Sequence, residues 1–191
     1  MKIAIDSPAG AGAGTQSKLL SNHYNLFYLD TGKFYRILAY DKLKNTNKFD
    51  LNFVKKRIKK IKLKDLNNQK LLPNEIGVEA SKISKNKKIR KLIDNIQKKY
   101  ANKHPKKYNG VCLDGRDITY KILPNADFKF FLTADIKIRA KRRFKELKKI
   151  NKKIKYVDVL KSIKQRDESD YKRKISPLKI TKDSILIDTT N

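Results

Sequence analysis

The chain opens on Lys2-Ile3-Ala4-Ile5, an apolar run too short for a helix, and then breaks into a loop of small residues from Asp6 to Gln16. That pattern predicts a buried strand followed by a tight turn, with a helix over Ser17 to Tyr24. Leu26 to Leu29 repeats the strand signature and ends at Asp30-Thr31-Gly32, after which Lys33 to Leu43 carries Phe34, Ile37, Leu38 and Leu43 at helical spacing. Further strands are expected at Val111-Cys112-Leu113, Phe128 to Leu132 and Ile185-Leu186-Ile187, with helices over Ile136 to Leu147 and Val157 to Asp170. Between residues 45 and 107 the pattern changes. Lysine-rich amphipathic stretches, Phe53-Val54-Arg57-Ile58-Ile61 and Ile89-Leu92-Ile93-Ile96, predict an inserted helical subdomain with no sheet strand of its own. Residues 1–44 and 108–191 then form the core, and strand alternating with helix argues for a parallel α/β sheet. No internal repeat is visible.

Composition narrows the function class. The length of 191 residues suits one large domain. No apolar run approaches the roughly 20 residues of a membrane helix, and the start lacks a signal-peptide layout, so the expectation is a soluble, cytoplasmic protein without membrane contact. One cysteine, Cys112, and two histidines, His23 and His104, exclude an internal disulfide and a zinc cage of the usual kind. Cys112 is expected in the core and both histidines at the surface. The formal charge of +29 points first to a polyanion partner. Lysine supplies 39 of the 48 basic residues, however, and Asn and Ile are also abundant, which is what an AT-rich coding sequence favours. The nine arginines are therefore the informative charges: Arg36, Arg57, Arg90, Arg116, Arg139, Arg142, Arg143, Arg166 and Arg173. Arg57 reads as a surface residue.

Strand, glycine-rich loop and helix, in that order, form the frame of a phosphate-binding loop, in which inward backbone N–H groups and a helix N-terminus receive anionic oxygens. The match to G-x-x-x-x-G-K-[ST] is incomplete. Ser7 stands at the first glycine, Gly12 at the second, Ala13 where lysine belongs, and Gly14-Thr15 follow. By itself this loop reads equally well as a closely packed turn.

Other motifs bear on the choice. Gly10-Ala11-Gly12-x-Gly14-Thr15-Gln16 resembles the loop of nucleoside monophosphate kinases. Asp30-Thr31-Gly32-x-x-Tyr35-Arg36, Asp114-Gly115-Arg116-Asp117 and Arg166-Asp167-x-x-Asp170-x-x-Arg173, with Pro177-Leu178 beyond, resemble cytidylate kinase in that order and spacing. The resemblance runs from residue 2 to residue 190 and is faintest between about 45 and 75. It implies a three-layer P-loop fold with a parallel five-stranded sheet of order 2-3-1-4-5, ATP as phosphoryl donor, CMP or dCMP as acceptor, Mg2+ as cofactor, a monomeric state and no specific nucleic-acid partner. It further implies that Arg36, Arg116 and Arg173 hold the acceptor phosphate with Thr31 beside them and Arg166 nearby. Ser81, Arg90 and Asp117 would read cytosine, and Asp170 the ribose. Pro8, Ala9, Gly10, Ala11, Gly12, Ala13, Gly14 and Thr15 would cradle ATP. Arg139, Arg142 and Arg143 would reach its phosphates from before a mobile lid at about 148–156. Thr15 and Asp114 would hold the metal. Such roles suit the residue types, since arginine offers paired donors to phosphate oxygens and an Asp with an Arg can match the donor and acceptors of cytosine.

Each residue also has a plainer reading as helix-surface charge or a strand-ending turn. Those readings leave unexplained why five of the nine arginines fall on motif positions in one order. Two departures from the family matter. Ala13 removes the ammonium that would meet the donor phosphates, a loss on the order of 10²- to 10³-fold by analogy with removing one preorganised donor. Lys18 lies one helical turn further on and is expected to point elsewhere, so a lid Arg or Lys is the better substitute. The sequence also ends at Asp188-Thr189-Thr190-Asn191, where the family continues into a final helix, so one sheet face is expected to be less covered or to be covered by a partner subunit. Two rivals follow: a pseudoenzyme that binds nucleotide with little transfer, suggested by Ala13, and a basic nucleic-acid-binding protein, suggested by the charge.

Overall fold

The computed structural model describes residues 1–44 and 49–191. Five parallel strands, β1 (Lys2–Asp6), β2 (Phe27–Asp30), β3 (Val111–Gly115), β4 (Phe128–Thr133) and β5 (Ile185–Asp188), form one sheet in the order β2-β3-β1-β4-β5. This is the expected order, and it gives a P-loop nucleoside monophosphate kinase type of α/β fold with β1 at the centre. Alternation along the strands sorts the core into two faces. Ile3, Ile5 and Cys112 pack with Ala11, Ala13 and Leu26 beside α1 (Ala13–His23). Ala4, Val111, Leu113, Phe27 and Leu29 face the opposite way. They join a core shared with α2 (Gly32–Lys44), α3 (Leu51–Lys60), α4 (Asn74–Ile83) and α5 (Lys87–Asn102). The pair α6 (Ile136–Lys148) and α7 (Tyr156–Lys172) closes a third cluster around Ala140, Val159 and Ile163.

In the segment expected as an inserted helical subdomain, the described elements are helices and 3-10 turns joined by loops, and none is a strand. Its expected start at residue 45 lies outside the described residues. Within it α4 was not singled out by periodicity, although Ile76, Ala80 and Ile83 make its buried face. The helix α1 begins at Ala13, four residues before the expected Ser17, because Gly12 adopts a left-handed φ of +88° and its carbonyl accepts the N–H groups of Thr15 and Gln16. A π-type turn over Ile118–Ile122 was also not foreseen. It is pinned by Asp6, whose carboxylate accepts from the Ile118 and Thr119 N–H groups, both at 2.9 Å, and from the Thr119 hydroxyl at 2.7 Å. Arg57 is not simply a surface charge, since it pairs with Asp41 at 2.7 Å and ties α3 to α2. Cys112 is buried and His23 exposed, as expected, while His104 is only partly exposed. The apolar side chains of β5 lie open, with Ile185, Leu186 and Ile187 exposed.

Candidate active site

All the elements that the sequence singled out end at one edge of the sheet. The loop after β1, the starts of α1 and α2, the end of β3, α4 and the facing sides of α6 and α7 surround one cavity of about 580 Å³. Its lining includes residues 7–15, Thr31, Arg36, Ser81, Arg90, Asp114, Arg116, Asp117, Arg142, Arg143, Arg166, Asp170 and Arg173. Of the residues expected at the site, Arg139 alone stands behind the wall.

The loop is clamped from both flanks. Ala9 donates its N–H to Asp167 and gives its carbonyl to Arg139 at 3.0 Å, while Arg139 and Asp167 pair at 2.6 Å. Arg139 also donates its Nε–H to the Ala134 carbonyl, so its Nε and one Nη hold two backbone carbonyls and Asp167. The Thr189 hydroxyl donates to Ala11 at 2.9 Å, and Arg142 in turn holds Thr189. Gly10, at φ +80°, lies so close to Arg139 that an added Cβ would sit 3.0 Å from its carbonyl oxygen, which leaves glycine as the residue that fits. Asp167 reads in the sequence as helix-surface charge; its pairing with Arg139 across 28 positions has no sequence signal.

A group of guanidiniums lies at the mouth of α4. A Cβ on Gly77 would meet Arg36 at 3.0 Å and Arg166 at 3.3 Å, so the glycine lets α4 approach both. Burial, then the neighbouring Arg166 and Arg143, push Arg36 down to about 9; burial, then Arg116, pushes Arg166 down to about 10. Both remain charged at neutral pH. Like charges held this closely, with Nε of Arg143 and Arg166 and one Nη of Arg173 buried without a partner among the described residues, make an anion site. Carboxylates orient the rest. Arg116 bonds Asp170 at 2.9 Å and the Gly115 carbonyl at 2.9 Å. Burial works against its charge and Asp170 outweighs that, raising its pKa. Arg173 reaches Asp170 and the Ser176 carbonyl.

On the other side of the cavity Arg90 and Asp117 form a buried pair at 2.8 Å, and the guanidinium of Arg90 lies over the Tyr35 ring at 5.4 Å. Ser81 stands nearby, bonded to Ser169 at 3.0 Å, which ties α4 to α7. Thr31 is fixed by donating its hydroxyl to the Asp114 carbonyl at 2.7 Å. Asp114 itself is buried beneath the loop, with Tyr28 donating to one carboxylate oxygen at 3.3 Å and the other, Oδ1, without a partner. Burial, then the facing Asp30, raises its pKa well above the usual carboxylate range. An orphaned carboxylate oxygen close to a second carboxylate, with Thr15 lining the same cavity, offers hard-oxygen donors of the kind that suit Mg2+ also bound by phosphates.

Comparison with known proteins agrees in extent with this geometry. A family model described as cytidylate kinase matches residues 3–191. A cytidylate kinase of Clostridium botulinum (strain Hall) is 41% identical over 203 residues, spanning 100% of this chain and 91% of that protein. One from Clostridium tetani is 40% identical, spanning 99% of this chain and 86% of its own, and one from Thermosipho melanesiensis is 39% identical, spanning 100% and 89%.

Proposed function

Because the chain belongs to the cytidylate kinase family, we propose that it transfers the γ-phosphoryl of ATP to CMP or dCMP, releasing CDP or dCDP. The observation that carries this reading is the single cavity that joins a clamped phosphate loop to a cluster of oriented arginines and a buried Arg90–Asp117 pair. Transfer between two polyanions asks little covalent chemistry of the protein and much positioning and charge stabilisation. In this reading Arg36, Arg116, Arg166 and Arg173 grip the acceptor phosphate with Thr31, and Asp170 holds Arg116 and Arg173 while reaching the ribose. Asp117, Arg90 and Ser81 read the cytosine edge. Residues 8–15 cradle the donor with Arg142 and Arg143 before them, and Arg139 acts on the donor by holding Ala9. Asp114 and Thr15 are the residues that would hold Mg2+. When bound, the ion would neutralise charge on the donor phosphates.

The organisation follows the same reading: a core of 1–44 and 108–191, a monophosphate-binding insertion at 45–107, and a lid at 148–156 that excludes water. Among the described residues no helix is long and apolar enough to cross a membrane. We infer a cytoplasmic monomer acting on small nucleotides, with no specific nucleic acid. A second reading rests on the loop motif: Ala13 takes the lysine position of G-x-x-x-x-G-K-[ST], and a nucleotide-binding pseudoenzyme would follow if nothing replaced that charge.

A coupled assay with ATP–Mg and a panel of monophosphates separates the readings. CMP and dCMP should turn over well ahead of AMP and GMP, with UMP weaker. Equal turnover of all the monophosphates would refute the assignment of the base, and tight ATP binding with no transfer would establish the pseudoenzyme.

A further inference from the structure

The cations of α6, the natural candidates to replace the missing loop lysine, are each tied to protein groups, although Arg143 keeps a buried Nε without a partner among the described residues. Arg139 is taken up behind the loop, Arg142 by Thr189, and Arg143 by Glu146 and the Leu72 carbonyl. Two lysines line the cavity, Lys18 and Lys33. Lys18 is exposed, whereas Lys33, in the first turn of α2, is half-buried and has no hydrogen bond or ion pair among the described residues. Its ammonium is near enough to Asp114 to favour that carboxylate's charged form. Asp114 Oδ2 in turn lies 3.5 Å from where a Cβ on Gly14 would be, at the N-terminal turn of α1. The sheet order sets Lys33 beyond β2, on the flank of β1 opposite the α6 arginines beyond β4. It also stands at the seam with a second hollow of about 700 Å³ along β2, so its four-carbon stem has room to swing.

We propose that Lys33 supplies to the terminal phosphates of the donor the positive charge that Ala13 lacks. The proposal rests on the kinase reading above. In the transfer the bond between the γ-phosphorus and the β–γ bridging oxygen breaks, and one forms to an oxygen of the acceptor phosphate. The bridging oxygen keeps the electron pair, and the ammonium meets that growing charge without giving up its proton.

The test compares the parent, Lys33→Ala, Lys33→Arg, Ala13→Lys and the double variant Ala13→Lys with Lys33→Ala. Two readouts are used: kcat for CMP, and calorimetric affinity for a non-hydrolysable ATP analogue against ADP. Lys33→Ala should fold as the parent does, since alanine is a strong helix former. It should lower kcat by ~10²-fold while leaving the KM for CMP within about twofold. It should weaken the analogue more than ADP, and Lys33→Arg should retain part of the rate. Ala13→Lys should rescue Lys33→Ala and add little to the parent. A Lys33→Ala variant with parental kcat and an unchanged analogue-to-ADP ratio would overturn the proposal while leaving the kinase reading intact. If the parent phosphorylates no monophosphate, the kinase reading falls, and an unchanged affinity ratio in Lys33→Ala would then overturn the role of Lys33 separately.

Discussion

Asp6 links the centre of the sheet to the Asp117 side of the cavity. Its carboxylate holds the backbone of Ile118 and Thr119, the residues immediately after Asp117. Burial pushes its pKa up to about 6 from 3.8, against the lowering effect of its three donors, with the nearby Asp117 adding to the rise. A carboxyl raised in the folded state binds its proton more tightly there than in the unfolded chain. Its contribution to stability is therefore fully present below about pH 4 and is lost as pH rises through about 6. The Asp6 carboxyl carbon should titrate by NMR with a midpoint near 6. The unfolding free energy of the parent relative to Asp6→Asn should fall by up to ~3 kcal/mol across that window. A midpoint at or below 4 would show that the three donors outweigh desolvation. The Arg90–Asp117 pair belongs to the same scale. Its two side chains hold each other at 2.8 Å, both buried, so removing either would leave the other charge buried without its partner.

At the scale of elements the phosphate loop makes a sharp distinction between its two left-handed glycines. Gly10→Ala combines a strained φ with a clash against the Arg139 carbonyl, whereas Gly12→Ala meets nothing within 4 Å among the described residues and carries the strain alone. Each should cost ~1–2 kcal/mol from the backbone. Gly10→Ala should show the larger fall in melting temperature and in ATP affinity, and equal losses would mean that the Arg139 contact yields without cost. The strands were legible because β1 and β3 present unbroken buried runs between turn residues, a pattern with few alternatives at that length. The start of α1 was not legible, because Ala13, Gly14 and Thr15 read as loop until Gly12 caps them. The face of α4 was missed because only three of its ten residues, Ile76, Ala80 and Ile83, are apolar and buried, a weak periodicity, and the glycine among them, Gly77, serves two arginines that only the fold brings near. Motif order told which arginines would converge on the cavity. It could not tell that Arg139 turns away to Asp167, since that depends on how α6 and α7 pack.

For the whole molecule, the charge of +29 is spread through every segment instead of lining a groove of interleaved aromatic residues. RNA binding should accordingly be weak and should fall steeply with salt, by filter binding or fluorescence anisotropy; tight, sequence-selective binding at about 0.15 M salt would favour the nucleic-acid reading instead. The central position of β1 has a different consequence. Ile3 pairs with Cys112 on one side and Phe128 on the other, so the strand that bears the phosphate loop has no neighbour until more than a hundred further residues have been made. At ribosomal speeds of about 5–20 residues per second that wait lasts roughly 5–20 s. Through it, the apolar residues of β1 have no sheet partner, and the strand that carries the phosphate loop takes its place only when distant segments arrive.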